Sequence, residues 1–257
     1  MRVVSLLPAG TEIVAALGAG SQLVGISHEC DWPPSITHLP RVTTTPIDPS
    51  QPGGAIDAQV RQLAHEGRPV IAVDAAMLQE LRPDLILTQD LCAVCAVIDG
   101  DVREVTRVLD RAPVLLSLKA RTLPGVFEDI KAVGAALDLS DEAGEVVAGL
   151  RYRLRRIAGA RPVTQPRIVC VEWLDPIYLA GHWVPELIEA AGGVDVGAAP
   201  GAHSRVVARD ELKGLNPDLI LVALCGFGVE RARKELERDG GFLGELGVPV
   251  WILDGNA

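Results

Sequence analysis

The feature that most constrains the fold is an internal repeat, in which a proline and a short apolar strand occur twice. Residues 81–89 read Leu-Arg-Pro-Asp-Leu-Ile-Leu-Thr-Gln, and residues 215–223 read Leu-Asn-Pro-Asp-Leu-Ile-Leu-Val-Ala. Each proline ends a predicted helix, and a buried strand follows it. Upstream, residues 2–6 (Arg-Val-Val-Ser-Leu) and 167–171 (Arg-Ile-Val-Cys-Val) form a second similar pair. The chain is therefore predicted to contain two related α/β lobes in tandem, an arrangement that usually holds a ligand between the lobes.

The stretch between the two copies has helical spacing and contains no predicted strand. Its apolar residues recur at intervals of three, four or seven, which is typical of a helix with one buried face. We therefore predict an N-terminal lobe over residues 1–120, a helical connector over 121–165 and a C-terminal lobe over 166–257. The fold class is then α/β, with two Rossmann-like lobes joined by a long connector helix and a ligand cleft between the lobes.

The sequence pattern also makes two local predictions. Thr11 is a suitable N-cap for a first helix from Glu12 to Leu17, because its hydroxyl can accept a hydrogen bond from the first turn. Trp251 lies inside the last predicted strand, at residues 250–253, and is assigned to the core.

The charge and the cysteine count exclude several classes of protein. With 34 acidic and 24 basic residues the formal net charge is -10, which suits neither a nucleic acid nor an anionic membrane surface. No apolar run reaches about 18 residues, so membrane insertion is not expected. Five cysteines, an odd number at irregular spacing, do not form a disulfide framework and favour a reducing compartment.

The first residues indicate a cellular compartment. Met1-Arg2 leads straight into a strand, without the apolar region or the cleavage site of a signal peptide. A cytoplasmic protein is therefore expected. If a leader had been removed, the protein would instead be periplasmic or lipid-anchored.

The residues that follow each strand are the candidate site, because paired α/β lobes bind ligands at the carboxyl ends of their strands. The second strand is followed by the densest polar and aromatic cluster in the chain, His28, Glu29, Cys30, Asp31 and Trp32. Trp32 can cover a flat macrocycle by apolar contact, and a neutral His28 imidazole suits cobalt or iron. The alternative is an ordinary loop whose histidine forms a hydrogen bond.

The strand that begins at Leu85 is followed by Gln89, Asp90, Cys92 and Cys95. The Cys-x-x-Cys spacing has three interpretations: a redox dithiol with a lowered thiol pKa, half of a zinc site, or cysteines that line the cleft. A zinc site lacks a second cysteine pair at suitable spacing. We favour cysteines that line the cleft.

Two further pairs of candidate residues lie in the C-terminal lobe. Glu172 and Trp173 follow its first strand, and His182 and Trp183 precede a helix. Trp173 and Trp183 are candidates to face Trp32 across the cleft. Ordinary core packing is the alternative, and it is the commoner position of a tryptophan.

The segments of the first lobe resemble a known family. Residues 5–13 (Ser-Leu-Leu-Pro-Ala-Gly-Thr-Glu-Ile), Leu17-Gly18 and Leu23-Val24-Gly25 are similar to the opening of the vitamin B12 and ferric-siderophore binding proteins of bacterial ABC importers. Residues 30–34 (Cys-Asp-Trp-Pro-Pro) resemble the loop that follows in the B12-binding branch, and residues 81–86 resemble the family's strand in its first lobe. The resemblance covers essentially the whole chain and is closest to a leaderless, cobalamin-binding branch.

This resemblance implies a ligand clamped between two lobes that are joined by a rigid helix, with no chemical conversion of the ligand. The ligand would be a corrinoid such as cobalamin, or a related metal-bearing ligand such as a ferric siderophore. The protein would be a substrate-binding protein or an intracellular carrier, without a cofactor, and its protein partner would be an ABC transporter permease. The segment from Thr43 to Val73 is longer than the resemblance implies.

An enzyme is the alternative from another class. It would be a thiol redox protein that uses Cys92 and Cys95, or a metal-chelatase-like protein that uses His28 or His182. The sequence has no nucleophile–base pair, glycine-rich phosphate loop or His-x-x-His spacing that would support an ordinary hydrolase or nucleotide enzyme.

Overall fold

The computed structural model describes residues 1–90, 99–107, 109–159 and 164–256. By internal contacts the chain divides into two units. The first unit comprises Met1–Asp48, Val60–Ala120 and Pro124–Leu150, and the second comprises Pro49–Gln59, Arg121–Leu123 and Arg151–Ala257. The lobe limits at residues 120 and 165 stay predictions.

Strands and helices alternate along the first part of the chain, as expected for an α/β fold. The elements are β1 (Val3–Ser5), α1 (Pro8–Ala16), β2 (Leu23–Ile26), β3 (Thr43–Thr44), α2 (Gly53–His65), β4 (Ala72–Val73), α3 (Ala75–Leu81), β5 (Leu85–Gln89), α4 (Asp99–Thr106), β6 (Val114–Leu118), α5 (Leu123–Ala136) and α6 (Ser140–Ala158). Four strands form a parallel sheet in the order β2-β1-β5-β6, and β3 pairs with β4 antiparallel. Each connection between strands of the parallel sheet includes a helix, because the chain must return from one end of the sheet to the other.

The second part of the chain builds a mixed sheet. Its elements are β7 (Arg167–Leu174), β8 (Ile177–Leu179), α7 (Val184–Ala190), β9 (Val194–Asp195), β10 (Arg205–Val206), α8 (Arg209–Gly214), β11 (Leu219–Val222), α9 (Val229–Asp239), α10 (Gly241–Gly244) and β12 (Val250–Ile252). The strand order is β10-β8-β7-β11-β12, with β9 also paired to β7. The sequence pattern does not predict β3, β8, β9 or β10, which have only two or three residues each.

The repeat has the same backbone geometry in both copies. Asp84 and Asp218 donate their backbone N–H to the carbonyl oxygens of Arg2 and Arg167, at 2.8 and 2.7 Å. Each aspartate carboxylate accepts the N–H of the same arginine at 2.8 Å. The residue before each proline has a left-handed backbone, with φ of 45° and 47°. The repeat thus encodes one way to join a helix end to a strand, which confirms the prediction of two related α/β halves.

Each unit has an apolar core around its copy of the repeated strand. In the first unit Ile86 of β5 is fully buried and lies in one cluster with Val4 and Leu78. In the second unit Ile220 of β11 is fully buried and lies in one cluster with Val169. Burial of each such side chain stabilises the fold by about 1.5–3 kcal/mol, so the repeated strands are central to the stability of both units.

The two local predictions are wrong. Helix α1 begins at Pro8, with Leu7 as its N-cap residue, and Thr11 lies fully buried inside the helix. Proline favours the first helical position because it has no N–H to satisfy there, and this preference decides where the helix begins. Trp251 does lie in a strand, but it is 60% exposed, because β12 is an edge strand with fewer neighbours.

Within the described ranges, no helix is both long enough and apolar enough to cross a membrane.

Candidate functional site

The loop after β2 places His28 among polar partners. The backbone N–H of His28 donates to Thr43 Oγ1 at 2.9 Å, and its Nδ1 lies 2.6 Å from the same oxygen. Its Nε2 lies 3.1 Å from Glu29 Oε1. Because an ionised carboxylate only accepts, Nε2 carries a proton in this pair, and its hydrogen bond holds the pKa of Glu29 below its usual value. Both ring nitrogens are therefore engaged, and metal binding through either one would break the contact with Thr43 of β3 or with Glu29.

Cys30 points into the protein from the same loop. It is 1% exposed, and its Sγ lies 3.1 Å from Thr11 Oγ1. Arg41 holds the loop backbone by donating to the carbonyl oxygens of Ser27, at 2.9 Å, and of Cys30. The thiol is therefore packed beneath the loop and is not offered to a ligand at the surface.

Asp31 and Trp32 lie on the outer side of the loop. Trp32 is 61% exposed and borders an open groove of about 420 Å³ in the first unit, whose other walls are apolar side chains of α1, α5 and α6 together with Glu12. Partial burial, and then the nearby Asp31 carboxylate, raises the pKa of Glu12. The groove thus offers a large apolar ring and the carboxyl group of Glu12.

The remaining predicted residues of the first lobe follow β5. Gln89 is the last residue of that strand and is buried, whereas Asp90 is exposed and donates its backbone N–H to the carbonyl of Leu118 at 3.1 Å. Because β2, β1 and β5 are parallel, Gln89 ends at the same sheet edge as the loop that carries His28. Cys92 and Cys95 lie outside the described residues, so their roles stay predictions.

An aromatic pair lies near the carboxyl ends of β7 and β11 in the second unit. The ring centroids of Trp173 and Phe227 are 5.2 Å apart, and Arg231 stacks over Phe227 with its Cζ 4.0 Å from the ring centroid. Glu172 is half-buried, and its carbonyl accepts the N–H of Cys225 at 3.1 Å. The structure therefore brings Glu172 and Trp173 beside Phe227. It adds Arg231, which the sequence pattern did not indicate because charged helix residues usually face solvent.

His182 and Trp183 lie between β8 and α7. His182 has a φ of 55°, which is uncommon for any residue except glycine. The centroid of its ring lies 6.0 Å from the ring centroid of Trp183 and 5.5 Å, in an edge-on arrangement, from that of the exposed His203. His182 Nε2 is buried and finds no hydrogen-bond partner among the described residues. The sequence pattern does not indicate His203 as a site residue, because it lies in a loop of small residues.

Acid is expected to destabilise the protein partly through His182. Burial, and then the charges of His203 and Arg121, lowers the pKa of His182 below its usual value of 6.5. The unfolded chain therefore binds this proton more readily than the folded chain, so stability is lost as the pH falls from above 6.5 through the lowered pKa. His182→Asn keeps a side chain that tolerates the left-handed backbone. The thermal midpoint of this variant should fall less between about pH 7.5 and about pH 5 than that of the natural protein.

The exposed His65 provides the control for this experiment. His65→Asn should retain the pH profile of the natural protein. An unchanged profile for His182→Asn would contradict the assignment of acid sensitivity to His182.

Among Cys30, Cys170 and Cys225, iodoacetamide at about pH 8 is expected to alkylate Cys225 first, because the thiolate is the reactive form. Cys225 is exposed, whereas Cys30 and Cys170 are buried. Burial raises the pKa of Cys30, and burial with the nearby Glu172 and Asp195 raises the pKa of Cys170 to about 12. Peptide mass spectrometry after timed labelling would measure this order, and equally fast labelling of Cys170 in the folded protein would contradict it.

The described residues form no obvious centre for metal chemistry. No three side chains of His, Cys, Asp or Glu in the described ranges come close enough to hold a metal ion. What the two units offer instead are exposed or half-buried aromatic rings, imidazoles and carboxylates near strand ends. Such surfaces suit the binding of a ligand with a large apolar body.

Comparison with known proteins identifies a curated relative and two solved structures of similar fold. The vitamin B12-binding protein of Vibrio cholerae serotype O1 is 25% identical over 199 residues, which is 76% of this chain and 60% of the relative. The chain thus spans less than two thirds of that relative's length. The crystal structure of the periplasmic vitamin B12 binding protein of Vibrio cholerae has a TM-score of 0.67 at 20% identity, covering 99% of this chain and 88% of the other.

A periplasmic heme binding protein from Pseudomonas aeruginosa has the same fold. Its TM-score is 0.71 at 19% identity, and the match covers 99% of this chain and 84% of the other. The family described as "Periplasmic binding protein" matches residues 3–240, which is most of the chain. The tandem α/β halves, the sheet order and this match agree, and the chain belongs to the periplasmic binding protein family.

Proposed function

We propose that the protein binds a corrinoid, or a related metal-bearing macrocycle, and releases it without chemical change. The observation that carries this proposal is Trp32, whose large ring is 61% exposed beside an open groove at the carboxyl-end loop of β2. An aromatic ring in this position suits the flat apolar face of a macrocycle. The curated relative, a vitamin B12-binding protein, supports the choice of a corrinoid.

Heme is the second candidate ligand. It shares with a corrinoid the flat macrocycle and the central metal, so the same exposed ring would suit it. The solved structure from Pseudomonas aeruginosa, a heme binding protein, supports this candidate.

We further infer that neither His28 nor His182 binds the ligand's metal directly. Both ring nitrogens of His28 have partners, Thr43 and Glu29, and Nε2 of His182 is buried. Apolar contact and hydrogen bonds at the periphery of the ligand would then supply the affinity. The cobalt absorption bands of a bound corrinoid should therefore keep their positions.

An exported location and a transporter partner belong to the same proposal. The named solved neighbours are periplasmic proteins, which supports an exported or lipid-anchored protein over the cytoplasmic expectation. The partner would be the permease of an ABC importer. Co-purification of the protein with such a permease from membranes would support this part, and its absence under conditions that retain a known importer complex would count against it.

The first test is a titration of the purified protein with cyanocobalamin, hydroxocobalamin and hemin, followed by tryptophan fluorescence and the visible spectrum. Saturable quenching by a cobalamin with unshifted cobalt bands is the expected result. A shifted spectrum would contradict the inference about the histidines. Saturable quenching by hemin alone would select the second candidate, and no response to any of the three at about 100 µM, where even a weak ligand would bind, would reject the function.

A further inference from the structure

The long segment between β3 and β4 contains a stretch that belongs to the second unit and packs within it. Residues 49–54, here called the strap, are held by two side chains of α9. The Arg231 guanidinium donates to the carbonyl oxygens of Pro49 and, at 2.6 Å, of Gln51. The Glu235 carboxylate, which is 6% exposed, accepts the backbone N–H of Gly53 at 3.0 Å.

Two adjacent glycines allow the strap to lie close to the end of β7. A Cβ at Gly53 would lie 3.5 Å from the indole ring of Trp173, and a Cβ at Gly54 would overlap the Asp175 carboxylate. At position 54 only glycine lets the backbone come this close to Asp175 without a shift of the neighbouring atoms. The Trp173 indole N–H also donates to the carbonyl of Asp175 at 3.1 Å. The strap therefore covers part of the indole ring that the sequence indicated as a ligand contact.

The two side chains that hold the strap also hold each other. Arg231 Nε lies 3.6 Å from Glu235 Oε1, and Arg238 contacts the other carboxylate oxygen. The Arg231 guanidinium also stacks over the Phe227 ring. The Glu235 carboxylate is thus buried and shared among these partners. The pair Arg231 and Glu235 is here called the latch.

A separate anchor lies just beyond the strap. Ile56, in the first turn of α2, packs against the apolar core of the second unit. This contact involves neither residue of the latch. The strap can therefore be released from the latch while Ile56 stays in place as a pivot.

We propose that the strap is a lid over Trp173, the candidate ligand contact of the second unit, and that the latch holds this lid closed. The inference rests on the ligand-binding function proposed above. Ligands of open α/β sheets bind outside the carboxyl ends of the strands, and the strap occupies that position beside Trp173. A ligand that contacts the part of the Trp173 ring beneath the strap must displace the strap, so its apparent affinity is lowered in proportion to the fraction of molecules in which the lid is open.

Two substitutions open the lid by different physical means. Glu235→Gln removes the charge that binds Arg231 and the Gly53 N–H, and Gly54→Ala drives a methyl group into the Asp175 carboxylate. Glu237→Gln changes an exposed residue of the same helix and is the control for the first variant. Gly149→Ala adds a methyl group where nothing lies within 4 Å and is the control for the second.

Hydrogen exchange and ligand binding together test the lid. Without ligand, the strap amides should exchange about tenfold faster in both variants than in the natural protein, because the open fraction sets the exchange rate. The ligand that the titration identifies, cyanocobalamin or hemin, should bind both variants about five- to tenfold more tightly and associate faster, as a larger open fraction requires. Both controls should behave like the natural protein.

Other outcomes overturn the inference in distinguishable ways. Faster exchange with unchanged affinity would mean that the strap does not cover the site, and faster exchange with weaker affinity would make the strap a wall of the site. If one variant fails to fold, the other decides. If neither ligand binds the natural protein, the proposed function has failed, and unchanged exchange in both variants would then overturn the latch itself.

Discussion

Replacement of Ile86 by alanine is expected to lower the free energy of unfolding by about 2–5 kcal/mol. Ile86 is fully buried in β5, between the paired strands β1 and β6, and lies in the core of the first unit. Truncation to alanine removes apolar contact and leaves a cavity that close-packed neighbours fill only in part. Ile220 occupies the equivalent position in the second copy of the repeat and is also fully buried. Its replacement should destabilise the second unit to a similar extent.

Urea unfolding followed by circular dichroism would measure both losses. Val114→Ala is the control, because Val114 lies on the edge strand β6 and is 64% exposed. The free energy of unfolding of the Val114→Ala variant is expected to change by no more than about 0.5 kcal/mol. If either isoleucine variant unfolded at the same urea concentration as the Val114 variant, the assignment of the repeated strands to the two cores would be wrong.

Replacement of Trp32 by alanine is expected to weaken binding of the ligand by about 30-fold, equivalent to about 2 kcal/mol. The physical reason is the loss of an indole ring whose exposed area would be covered by the macrocycle. This expectation depends on the proposed function, so it is measured with cyanocobalamin and with hemin. Because Trp32 is largely exposed, its removal should leave the thermal midpoint within a few degrees of the natural value.

Trp251 provides a matched control for this experiment. It is 60% exposed, against 61% for Trp32, but it lies within the edge strand of the second unit and not in a loop that follows a strand. Trp251→Ala should bind either ligand as the natural protein does. Equal losses in the two variants would indicate a nonspecific effect, and an unchanged affinity in Trp32→Ala would remove the observation on which the proposed function depends.

Much of the fold could be predicted because its signals are local. The prolines at 83 and 217 and the apolar runs that follow them indicate helix ends and buried strands without reference to the rest of the chain. The bounds of α3 and α9 agree with the sequence pattern for the same reason. The start of α1 was misplaced because two local preferences competed, and Pro8 at the first helical position prevailed over Thr11 as a cap.

The candidate site was only partly predictable. Strand ends indicate which loops can meet a ligand, so the sequence could indicate the His28–Trp32 cluster and Trp173 as candidate contacts, and their role in binding stays a prediction. The sequence did not predict the direction of each side chain, because that direction depends on neighbours that are distant in the chain. Within one short loop Cys30 points inward to Thr11 while Trp32 points outward, and no sequence periodicity distinguishes the two.

The sequence by itself determined the α/β class, the repeated join between helix and strand, and the loops that carry candidate ligand contacts, because these follow from proline, apolar spacing and strand order. Only the tertiary structure decided which polar groups are already engaged. His28 is held by Thr43, and Gly53 is bound by Glu235 across 182 residues of sequence. Such pairs form because a buried polar group must find a partner wherever the fold places one, and that placement is a property of the whole packed chain.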